Sequence, residues 1–297
     1  MAPEQPALPP SVQVVPGAGG LPVVRVTGRA GSAEVFLHGA HVTSWVPAGE
    51  EPVLWMSAHS TFDRGSALRG GVPICFPWFG ANASDPAAPS HGFARLAEWE
   101  LIGASEVGSD VVLTFELSDS EETRASAWPH PFVARYVVTV GASLTLALQV
   151  TNRDLFAVTI EEALHTYLRV QDIEAVEVAG LEGTSFLDRL AAPEPSPGQT
   201  GPVRFAGETD RIYLNTEAAV TVVDRAAGRA VHIAKQGSGS TVVWNPWATK
   251  AAAMADFGDD EWTGMVCVET CNVRAAAVTL EPGASHTMAV VFTVGRR

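Results

Sequence analysis

Cysteine is scarce in this sequence: only 3 of its 297 residues are cysteine, at positions 75, 267 and 271. An odd and sparse set of thiols in a chain of this length predicts reduced cysteines and a cytoplasmic location. Neither a second cysteine pair nor a histidine cluster accompanies Cys267 and Cys271. We therefore predict no metal site at these two residues.

Long apolar runs are missing as well, and none approaches the roughly 20 residues that a helix needs to span a bilayer. Residues 1–6, MAPEQP, contain neither the basic region nor the apolar region of a secretory signal. These features predict a soluble cytoplasmic protein. The first ten residues are rich in proline, and we expect residues 1–10 to form a poorly ordered tail.

Basic residues are outnumbered, because 19 Lys and Arg stand against 33 Asp and Glu and give a formal net charge of −14. Such a charge argues against a nucleic acid or an anionic membrane as partner, since both carry negative charge themselves. It also repels an anionic ligand at long range. An anion-binding site must therefore obtain its attraction from arginines close to the ligand.

Helical patterns are almost absent, since no segment of ten or more residues carries an apolar stripe at helical spacing. Short runs of β-branched and aromatic residues bounded by Gly, Asn, Asp or Pro predict strands instead. We therefore predict an all-β fold, one large antiparallel β-sandwich over residues 11–297 with short connecting helices. Long loops are predicted at residues 81–89 and 191–202. The predicted strands are residues 23–26, 33–37, 111–117, 132–140, 143–151, 158–169, 219–223, 230–234, 240–244, 265–269, 275–280 and 285–294.

Two arginines and a histidine lie among glycines, prolines and aromatics in residues 67–95. The first part reads ALRGGVPICFPWFG and holds Arg69, and the second reads SHGFAR and holds His91 and Arg95. A guanidinium grips phosphate or carboxylate through two hydrogen bonds, and glycines let the backbone approach a ligand. Aromatic faces can pack against a sugar ring. The segment predicts a site for a small, anionic, ring-shaped ligand.

His165 lies within the predicted strand 158–169. Alternation along a strand places it on the same face as Tyr167, whereas Leu164 and Leu168 point to the core. A histidine on the polar face of a central strand has no packing role. Two interpretations remain open, a hydrogen-bonded structural histidine and a functional one.

Glu269 shares its predicted strand face with Met265, Cys267 and Cys271, which are all apolar. Burial among such neighbours raises the pKa of a carboxyl group unless a partner compensates. Glu269 is therefore either half of a structural ion pair or a base tuned for proton transfer.

Other polar and aromatic features are less specific. Asp210 on its own is no better than a turn residue. The acidic run at residues 256–261 lacks the regular alternation of a calcium-binding loop, so we interpret it as a solvated turn. The tryptophans of WNPW at residues 244–247 fit either a sugar subsite or an apolar plug at the end of the sandwich.

Taken together, these segments resemble the aldose 1-epimerase superfamily and, within it, the hexose-6-phosphate mutarotases. They occur in the order found in that family and span most of the chain. The segments that carry the resemblance are LRGGVP (68–73), FPWFG (76–80), HGFAR (91–95), ALHTY (163–167), DRIY (210–213), WNPW (244–247) and CVE (267–269).

The resemblance implies a galactose-mutarotase-like β-supersandwich that interconverts the α and β anomers of a hexose 6-phosphate, with glucose 6-phosphate as the expected substrate. By family likeness Glu269 is the general base and His165 the general acid. The resemblance also implies the binding residues: His91 and Asp210 hold sugar hydroxyls, and Arg69 and Arg95 clamp the 6-phosphate.

General chemistry agrees with these implied roles. Interconversion of anomers removes a proton from the C1 hydroxyl while the ring oxygen is protonated, so one carboxylate and one imidazole suffice. No metal, cofactor or covalent intermediate is needed, because the uncatalysed reaction is already fairly quick. We expect a monomer whose partner is a small phosphorylated sugar.

Three alternatives stay open. A non-catalytic carbohydrate-binding protein would not need His165 and Glu269 to face each other. A glycoside hydrolase needs two carboxylates, which Asp210 and Glu269 could supply, but it leaves His165 without a role. A free-aldose mutarotase is favoured if Arg69 or Arg95 points away from the site.

Overall fold

The computed structural model describes residues 7–191 and 194–296. Residues 1–6 of the predicted tail and residues 192–193 of the second predicted loop lie outside the described residues. The described residues form 21 β-strands and two short α-helices, which confirms the predicted all-β class. None of their helices is long and apolar enough to cross a membrane.

The strands are short, as the frequent glycines and prolines predict. In chain order they are β1 (Val12–Pro16), β2 (Pro22–Thr27), β3 (Gly31–Phe36), β4 (His41–Pro47), β5 (Ile74–Cys75), β6 (Glu100–Val107), β7 (Asp110–Ser118), β8 (Phe132–Val140), β9 (Ser143–Asn152), β10 (Val158–Ile160), β11 (Glu162–Leu164), β12 (Tyr167–Arg169), β13 (Val176–Ala179), β14 (Phe186–Asp188), β15 (Thr209–Tyr213), β16 (Val220–Asp224), β17 (Arg229–Gln236), β18 (Ser240–Asn245), β19 (Met265–Asn272), β20 (Val278–Leu280) and β21 (Ser285–Arg296).

The helices are connectors of one or two turns, as predicted. The first begins after Ser120, whose hydroxyl accepts a hydrogen bond from the N–H of Thr123 while the Thr123 hydroxyl accepts one from the N–H of Ser120. The helices are α1 (Glu121–Arg124) and α2 (Trp247–Ala252), with 3-10 turns at Ala18–Gly20, Ile173–Ala175, Glu261–Gly264 and Arg274–Ala276.

The described strands pair into four sheets, and every pairing between them is antiparallel. The eight-stranded sheet has the order β13-β16-β17-β21-β9-β8-β7-β6. The seven-stranded sheet has the order β14-β15-β18-β19-β11-β5, and β12 also pairs with β19. β1 to β4 form a third sheet, and β10 pairs with β20.

The main core joins the two large sheets. Phe115 and Tyr136 extend into it from the eight-stranded sheet, and Leu164 and Val268 extend into it from the seven-stranded sheet. Successive residues of a strand point to opposite faces, so only every second side chain enters this core. The core therefore fixes which side chains of the seven-stranded sheet remain on its other face.

That other face, which we call the site face, is also covered by apolar side chains. Tyr167, Trp244 and Cys267 pack there in a second cluster, and all of β19 is buried as a result. Leu164 and Leu168 lie in the main core instead. The predicted alternation along residues 164–168 is thereby confirmed.

Two predicted strands are interrupted. The predicted strand 158–169 is three strands, β10, β11 and β12, because the chain bends after Leu164, whose carbonyl accepts a hydrogen bond from the N–H of Thr166. The predicted strand 275–280 begins in a 3-10 turn and is reduced to β20. Residues 81–89 form neither helix nor strand, as predicted.

Several strands, including β1, β4, β6 and β15, are missing from the prediction. β6 shows the physical reason, since it is the edge strand of the eight-stranded sheet and only Leu101 of its eight residues is buried. A mostly exposed strand does not need apolar residues. Its sequence therefore lacks the pattern by which a strand is recognised.

Candidate active site

The candidate site forms where β11 and β12 both pair with β19. β11 ends opposite Thr270 and β12 begins opposite Cys267, so one register continues across the bend between them. This register sets His165, in the bend, opposite Glu269. The Nε2 atom of His165 lies 3.4 Å from Oε1 of Glu269.

Burial sets the protonation chemistry of this pair. The side chain of Glu269 is 1% exposed and that of His165 is 11% exposed. Burial raises the pKa of Glu269 well above its usual value, and the charge of Asp210 raises it further. Burial lowers the pKa of His165 well below its usual value. The uncharged form of each group is therefore favoured.

Each member of the pair also has one buried atom without a partner. Oε2 of Glu269 and Nδ1 of His165 make no hydrogen bond to residues 7–191 or 194–296. Buried polar atoms are nearly always hydrogen-bonded in proteins, so such exceptions call for an explanation. A polar ligand bound at this pair would supply the missing partners.

Aromatic rings hold the imidazole of His165 in place. The ring of Tyr167 stacks on it, with centroids 4.9 Å apart and planes inclined by 9°. His91 and Trp244 meet the same imidazole edge-on, with centroids 5.7 and 6.0 Å away. These contacts restrict rotation of the ring and so orient it before a ligand arrives.

His91 is fixed by a tight turn. Its backbone is left-handed, with a φ of 65°, and its N–H donates to the carbonyl of Gly80 at 2.7 Å. Its Nδ1 accepts a hydrogen bond from the N–H of Gly80 at 3.3 Å, which leaves the ring proton on Nε2. Gly92 follows, where a Cβ atom would lie 2.0 Å from the carbonyl oxygen of Phe76. The glycine of the HGFAR motif is therefore required because this turn has no room for a Cβ atom.

The guanidinium of Arg69 is held by two neighbours. Its Nε and Nη2 atoms lie 3.1 and 3.0 Å from Oδ2 of Asp256, and its Nη1 donates to the hydroxyl of Tyr167 at 3.0 Å. Tyr167 in turn stacks on His165, so the arginine is connected to the His165–Glu269 pair. The side chain of Arg69 is 24% exposed, which leaves it accessible to a ligand.

The loop that carries Arg69 is fixed by a buried histidine. The carbonyl oxygen of Gly70 lies 2.7 Å from Nε2 of His41, which is fully buried. Burial lowers the pKa of His41 to about 3, so the neutral ring donates this hydrogen bond. The N–H of Gly71 bonds to the carbonyl of Trp55 at 2.7 Å. These two hydrogen bonds, one at Gly70 and one at Gly71, therefore fix the backbone that follows Arg69.

Arg95 is held beside His91 by the same turn. Its Nη2 donates to the carbonyl of Ser90 at 2.7 Å. Its Nε is buried and has no hydrogen-bond partner in the described part of the chain. Burial lowers the pKa of His91 and of His165, and the positive charge of Arg95 lowers both pKa values further. The positive charges of both predicted arginines, Arg69 and Arg95, therefore lower the pKa of the same two imidazoles.

Asp210 faces an arginine that the sequence did not single out. Its Oδ2 lies 3.2 Å from Nη1 of Arg189, and its side chain is 7% exposed. Burial raises the pKa of Asp210, and the charge of Arg189 opposes this rise. Asp210 is close enough to Glu269 for its charge to raise the pKa of that residue as well.

The structure therefore brings the six predicted residues together, but it also adds others. Tyr167 could have been found from its place on the same strand face as His165. Asp256 lies in the acidic run, whose interpretation as a solvated turn is wrong at this residue because its carboxylate pairs with Arg69. Arg189 and Arg274 belong to no recognisable motif, so no sequence signal indicated them.

Two other predicted features lie away from the pair. Trp247 stacks on Trp262 with ring centroids 4.3 Å apart, which favours the plug interpretation for that tryptophan. All three cysteines are buried and unpaired with one another. Within residues 7–191 and 194–296, no group of three or more His, Cys, Asp or Glu side chains is arranged to hold a metal ion.

Comparison with known proteins identifies relatives along most of the chain. The profile of the family described as "Aldose 1-epimerase" matches residues 22–293. A protein of Salmonella typhimurium named "Putative glucose-6-phosphate 1-epimerase" is 40% identical over 265 residues, which cover 89% of this chain and 87% of that protein.

Solved structures agree with this result. A Salmonella typhimurium crystal structure described as a "putative mutarotase" superposes with a TM-score of 0.91 at 36% identity, covering 98% of this chain and 96% of that one. A galactose mutarotase-like protein of Clostridium acetobutylicum superposes with a TM-score of 0.73 at 13% identity, covering 96% and 98% of the two chains. The predicted galactose-mutarotase-like fold is thereby confirmed.

Proposed function

Because this chain belongs to the aldose 1-epimerase family, we propose that it interconverts the α and β anomers of a hexose 6-phosphate, with glucose 6-phosphate as the substrate. The observation that carries this proposal is the buried carboxylate of Glu269 at 3.4 Å from the imidazole of His165. A carboxylate and an imidazole in contact are the two groups that the reaction requires.

In the proposed mechanism Glu269 is the general base and His165 the general acid. Glu269 accepts the proton of the C1 hydroxyl while His165 protonates the ring oxygen, so the bond between C1 and the ring oxygen breaks and an aldehyde forms. Rotation about the C1–C2 bond exposes the other face of the aldehyde. The hydroxyl group formed from the ring oxygen then attacks that face of the aldehyde while both proton transfers reverse, and the second anomer forms.

The pKa shifts of the pair indicate how many protons it holds. Burial raises the pKa of Glu269 and lowers that of His165, so the pair favours a single titratable proton, held by Glu269, with both groups uncharged. The proposed roles require this same proton to lie on His165 when substrate is bound, so that Glu269 is the carboxylate that accepts the C1 hydroxyl proton. Each proton transfer contributes about 10²- to 10⁴-fold to the rate.

His91 and Asp210 are proposed to bind sugar hydroxyls. His91 carries its ring proton on Nε2, because Nδ1 accepts from the backbone of Gly80, and can therefore donate a hydrogen bond. The charge of Arg189, which lies 3.2 Å from Asp210, favours the carboxylate form of Asp210, and a carboxylate can accept a hydrogen bond. A hydroxyl group needs both kinds of partner.

Arg69 and Arg95 are proposed to bind the 6-phosphate. The chain as a whole carries a formal net charge of −14 and repels an anionic sugar, so local cations must overcome that repulsion. Arg69 is held in a fixed orientation by Asp256 and Tyr167. A preoriented guanidinium loses little conformational freedom when it binds a phosphate.

The test is the rate of anomer exchange measured by NMR magnetisation transfer between the α and β signals, with glucose as the parallel control. We expect catalytic amounts of the protein to accelerate exchange of glucose 6-phosphate and to leave glucose almost unaffected. Equal acceleration of both sugars would support the proton-transfer mechanism and contradict the proposed phosphate clamp. Binding without acceleration of either sugar would instead indicate a carbohydrate-binding protein.

A further inference from the structure

Gly80 is flanked by two arginines, Arg189 and Arg274, which take no part in the proposed proton transfers or in the proposed phosphate clamp. Gly80 has a φ of 76°, and a Cβ atom built on it would lie 3.8 Å from Nη2 of Arg189 and 3.8 Å from Nη2 of Arg274. The two Nη2 atoms are therefore no further apart than twice that distance. We call the space between Gly80, Arg189 and Arg274 the Gly80 notch.

The two arginines are anchored in the same manner. Nη1 of Arg189 lies 3.2 Å from a carboxylate oxygen of Asp210, and Nη1 of Arg274 lies 3.1 Å from one of Glu161. Neither Nη2 atom makes a hydrogen bond to any residue that the structure describes. Each guanidinium thus binds its carboxylate through one nitrogen and presents the other nitrogen to the notch.

The turn at Gly80 is organised by the carboxylate that holds Arg274. Glu161 accepts hydrogen bonds from the N–H of Phe79 at 3.0 Å and from the N–H of Arg274 at 2.6 Å. Arg274 has a left-handed φ of 57°, which is uncommon for a residue with a long side chain. One carboxylate therefore positions both Arg274 and the backbone that forms the base of the notch.

Arg189 lies beside the residue that precedes Gly80. Its guanidinium lies over the ring of Phe79 at 5.9 Å from the centroid. The side chains of Arg189 and Arg274 are 37% and 42% exposed, so a ligand can reach them. Two like charges that converge on one space repel each other unless an anion lies between them. Two guanidinium nitrogens within that upper limit of separation can each donate a hydrogen bond to the same tetrahedral oxyanion.

We propose that the Gly80 notch is a second oxyanion subsite, which binds a phosphate or sulfate group between Arg189 and Arg274. It is separate from the proposed clamp of Arg69 and Arg95. It also does not depend on catalysis, so its failure and the failure of the proposed function can be told apart. The carboxylates of Asp210 and Glu161 contact the same two guanidiniums and weaken the attraction for an anion, so we expect modest affinity.

The test is titration with inorganic phosphate, followed by isothermal calorimetry and by ³¹P NMR. We expect the wild-type protein to bind two phosphates. Arg274→Gln should retain one of them and weaken the other about tenfold or more, as expected for the loss of a charge-assisted hydrogen bond. Arg69→Gln should also retain one, and the double variant should retain neither.

Arg124→Gln is the matched control, because Arg124 is an exposed arginine of α1 that pairs with Asp119 and loses the same charge when substituted. It should bind two phosphates, like the wild type. Arg189→Gln serves as the second variant if Arg274→Gln fails to fold, as judged by circular dichroism. Phosphate binding that is unchanged in Arg274→Gln and in Arg189→Gln would overturn the proposal, whether the wild-type protein binds one phosphate or two. A single phosphate that these two variants lose would instead contradict the clamp of Arg69 and Arg95.

A second titration distinguishes a free phosphate from one carried by the sugar. If the sugar carries the second oxyanion, glucose 1,6-bisphosphate should bind about tenfold more tightly than glucose 6-phosphate, and Arg274→Gln should abolish that difference. If the notch takes only free phosphate, the two sugars should bind equally while inorganic phosphate still fills two sites. Both outcomes keep the subsite and differ only in the source of the oxyanion.

Discussion

Glu269 and His165 lie opposite each other on β19 and in the adjoining bend, with Oε1 and Nε2 3.4 Å apart. A second buried glutamate, Glu162, lies 3.3 Å from His286 and provides a natural comparison. The side chain of His286 is 24% exposed, and its hydrogen bond to Glu162 raises its pKa. Burial instead lowers the pKa of His165. Similar contacts therefore accompany opposite pKa shifts of the two histidines, because His165 is more deeply buried than His286.

The first prediction concerns the two proposed proton-transfer residues. Glu269→Gln and His165→Ala should each lower kcat for anomer exchange by about 10²- to 10⁴-fold, because each removes one proton-transfer group. Circular dichroism should still report a folded protein. Magnetisation transfer on glucose 6-phosphate measures the rate.

Glu162→Gln is the matched control for this prediction, since it removes a buried carboxylate that also contacts a histidine but plays no part in the proposed mechanism. It should keep turnover near the wild-type value while lowering stability, because Asn272 and His286 lose an ionised partner. Turnover close to wild type in Glu269→Gln would contradict the assigned base.

The second prediction concerns the phosphate. Arg69→Ala should raise KM for glucose 6-phosphate about tenfold or more with a smaller change in kcat, because a bond to the phosphate is made in the ground state and the transition state alike. Tyr167→Phe keeps the ring that stacks on His165 but loses the hydroxyl that accepts from Arg69 at 3.0 Å. It should raise KM by a smaller factor.

Steady-state kinetics across a range of glucose 6-phosphate concentrations separates the two constants. Asp256→Asn adds a second check, since it releases Arg69 from its carboxylate without removing the guanidinium. Its KM should lie between those of the wild type and Arg69→Ala. An unchanged KM in Arg69→Ala would exclude this arginine from the phosphate clamp.

Sequence patterns predicted the fold class and much of the site for physical reasons. Alternation alone separated Leu164 and Leu168 from Tyr167, because a strand between two packed layers must point every second side chain each way. The bend at His165 was not predictable, since it depends on hydrogen bonds to partner strands. The pairing of His165 with Glu269 likewise follows from register, which local sequence does not specify.

The missed arginines show a different limit. Arg189 directly follows β14 and Arg274 follows β19, and their proposed role arises only because both side chains lie beside Gly80 in space. Asp256 lay in a run that suggested solvation, yet its carboxylate binds Arg69 across the site. Tertiary pairing of charges cannot be read from composition along the chain, because oppositely charged partners are distant in sequence.

The third prediction concerns pH and stability at His41. Its pKa is about 3 in the folded protein and about 6.5 when unfolded. Between these values only the unfolded state binds the proton, so this histidine's contribution to stability is complete above about pH 6.5 and is lost as pH falls towards 3. His41→Gln should therefore reduce the slope of unfolding free energy against pH by about 1.4 kcal/mol per pH unit between pH 6 and 4.

Urea unfolding at a series of pH values measures this slope. His286→Gln is a control of opposite sign, because the folded pKa of His286 is raised and its contribution is complete below about pH 6.5 and lost as pH rises through the folded value. Removing it should reduce stability mainly at low pH. Parallel curves for the wild type and His41→Gln would show that His41 titrates alike in both states.

The last prediction compares two glycines with left-handed backbones. Gly70 has a φ of 116°, and a Cβ atom there would lie 2.5 Å from Cα of Met56 and 2.5 Å from the carbonyl oxygen of Trp55. Gly49 has a φ of 78°, and a Cβ atom there would meet nothing within 4 Å. Alanine should cost about 1 kcal/mol at Gly49 through backbone strain alone, and about 3 kcal/mol or more at Gly70, where backbone must also move.

Urea unfolding of Gly70→Ala and Gly49→Ala tests this difference, because both variants add the same methyl group. Because Gly70 directly follows Arg69 and its carbonyl is held by His41, displacement of the loop should also raise KM for glucose 6-phosphate in Gly70→Ala. Gly49→Ala should leave KM unchanged. Equal losses of stability in the two variants would mean that the loop relaxes freely, and a fixed orientation of Arg69 could then no longer explain phosphate binding.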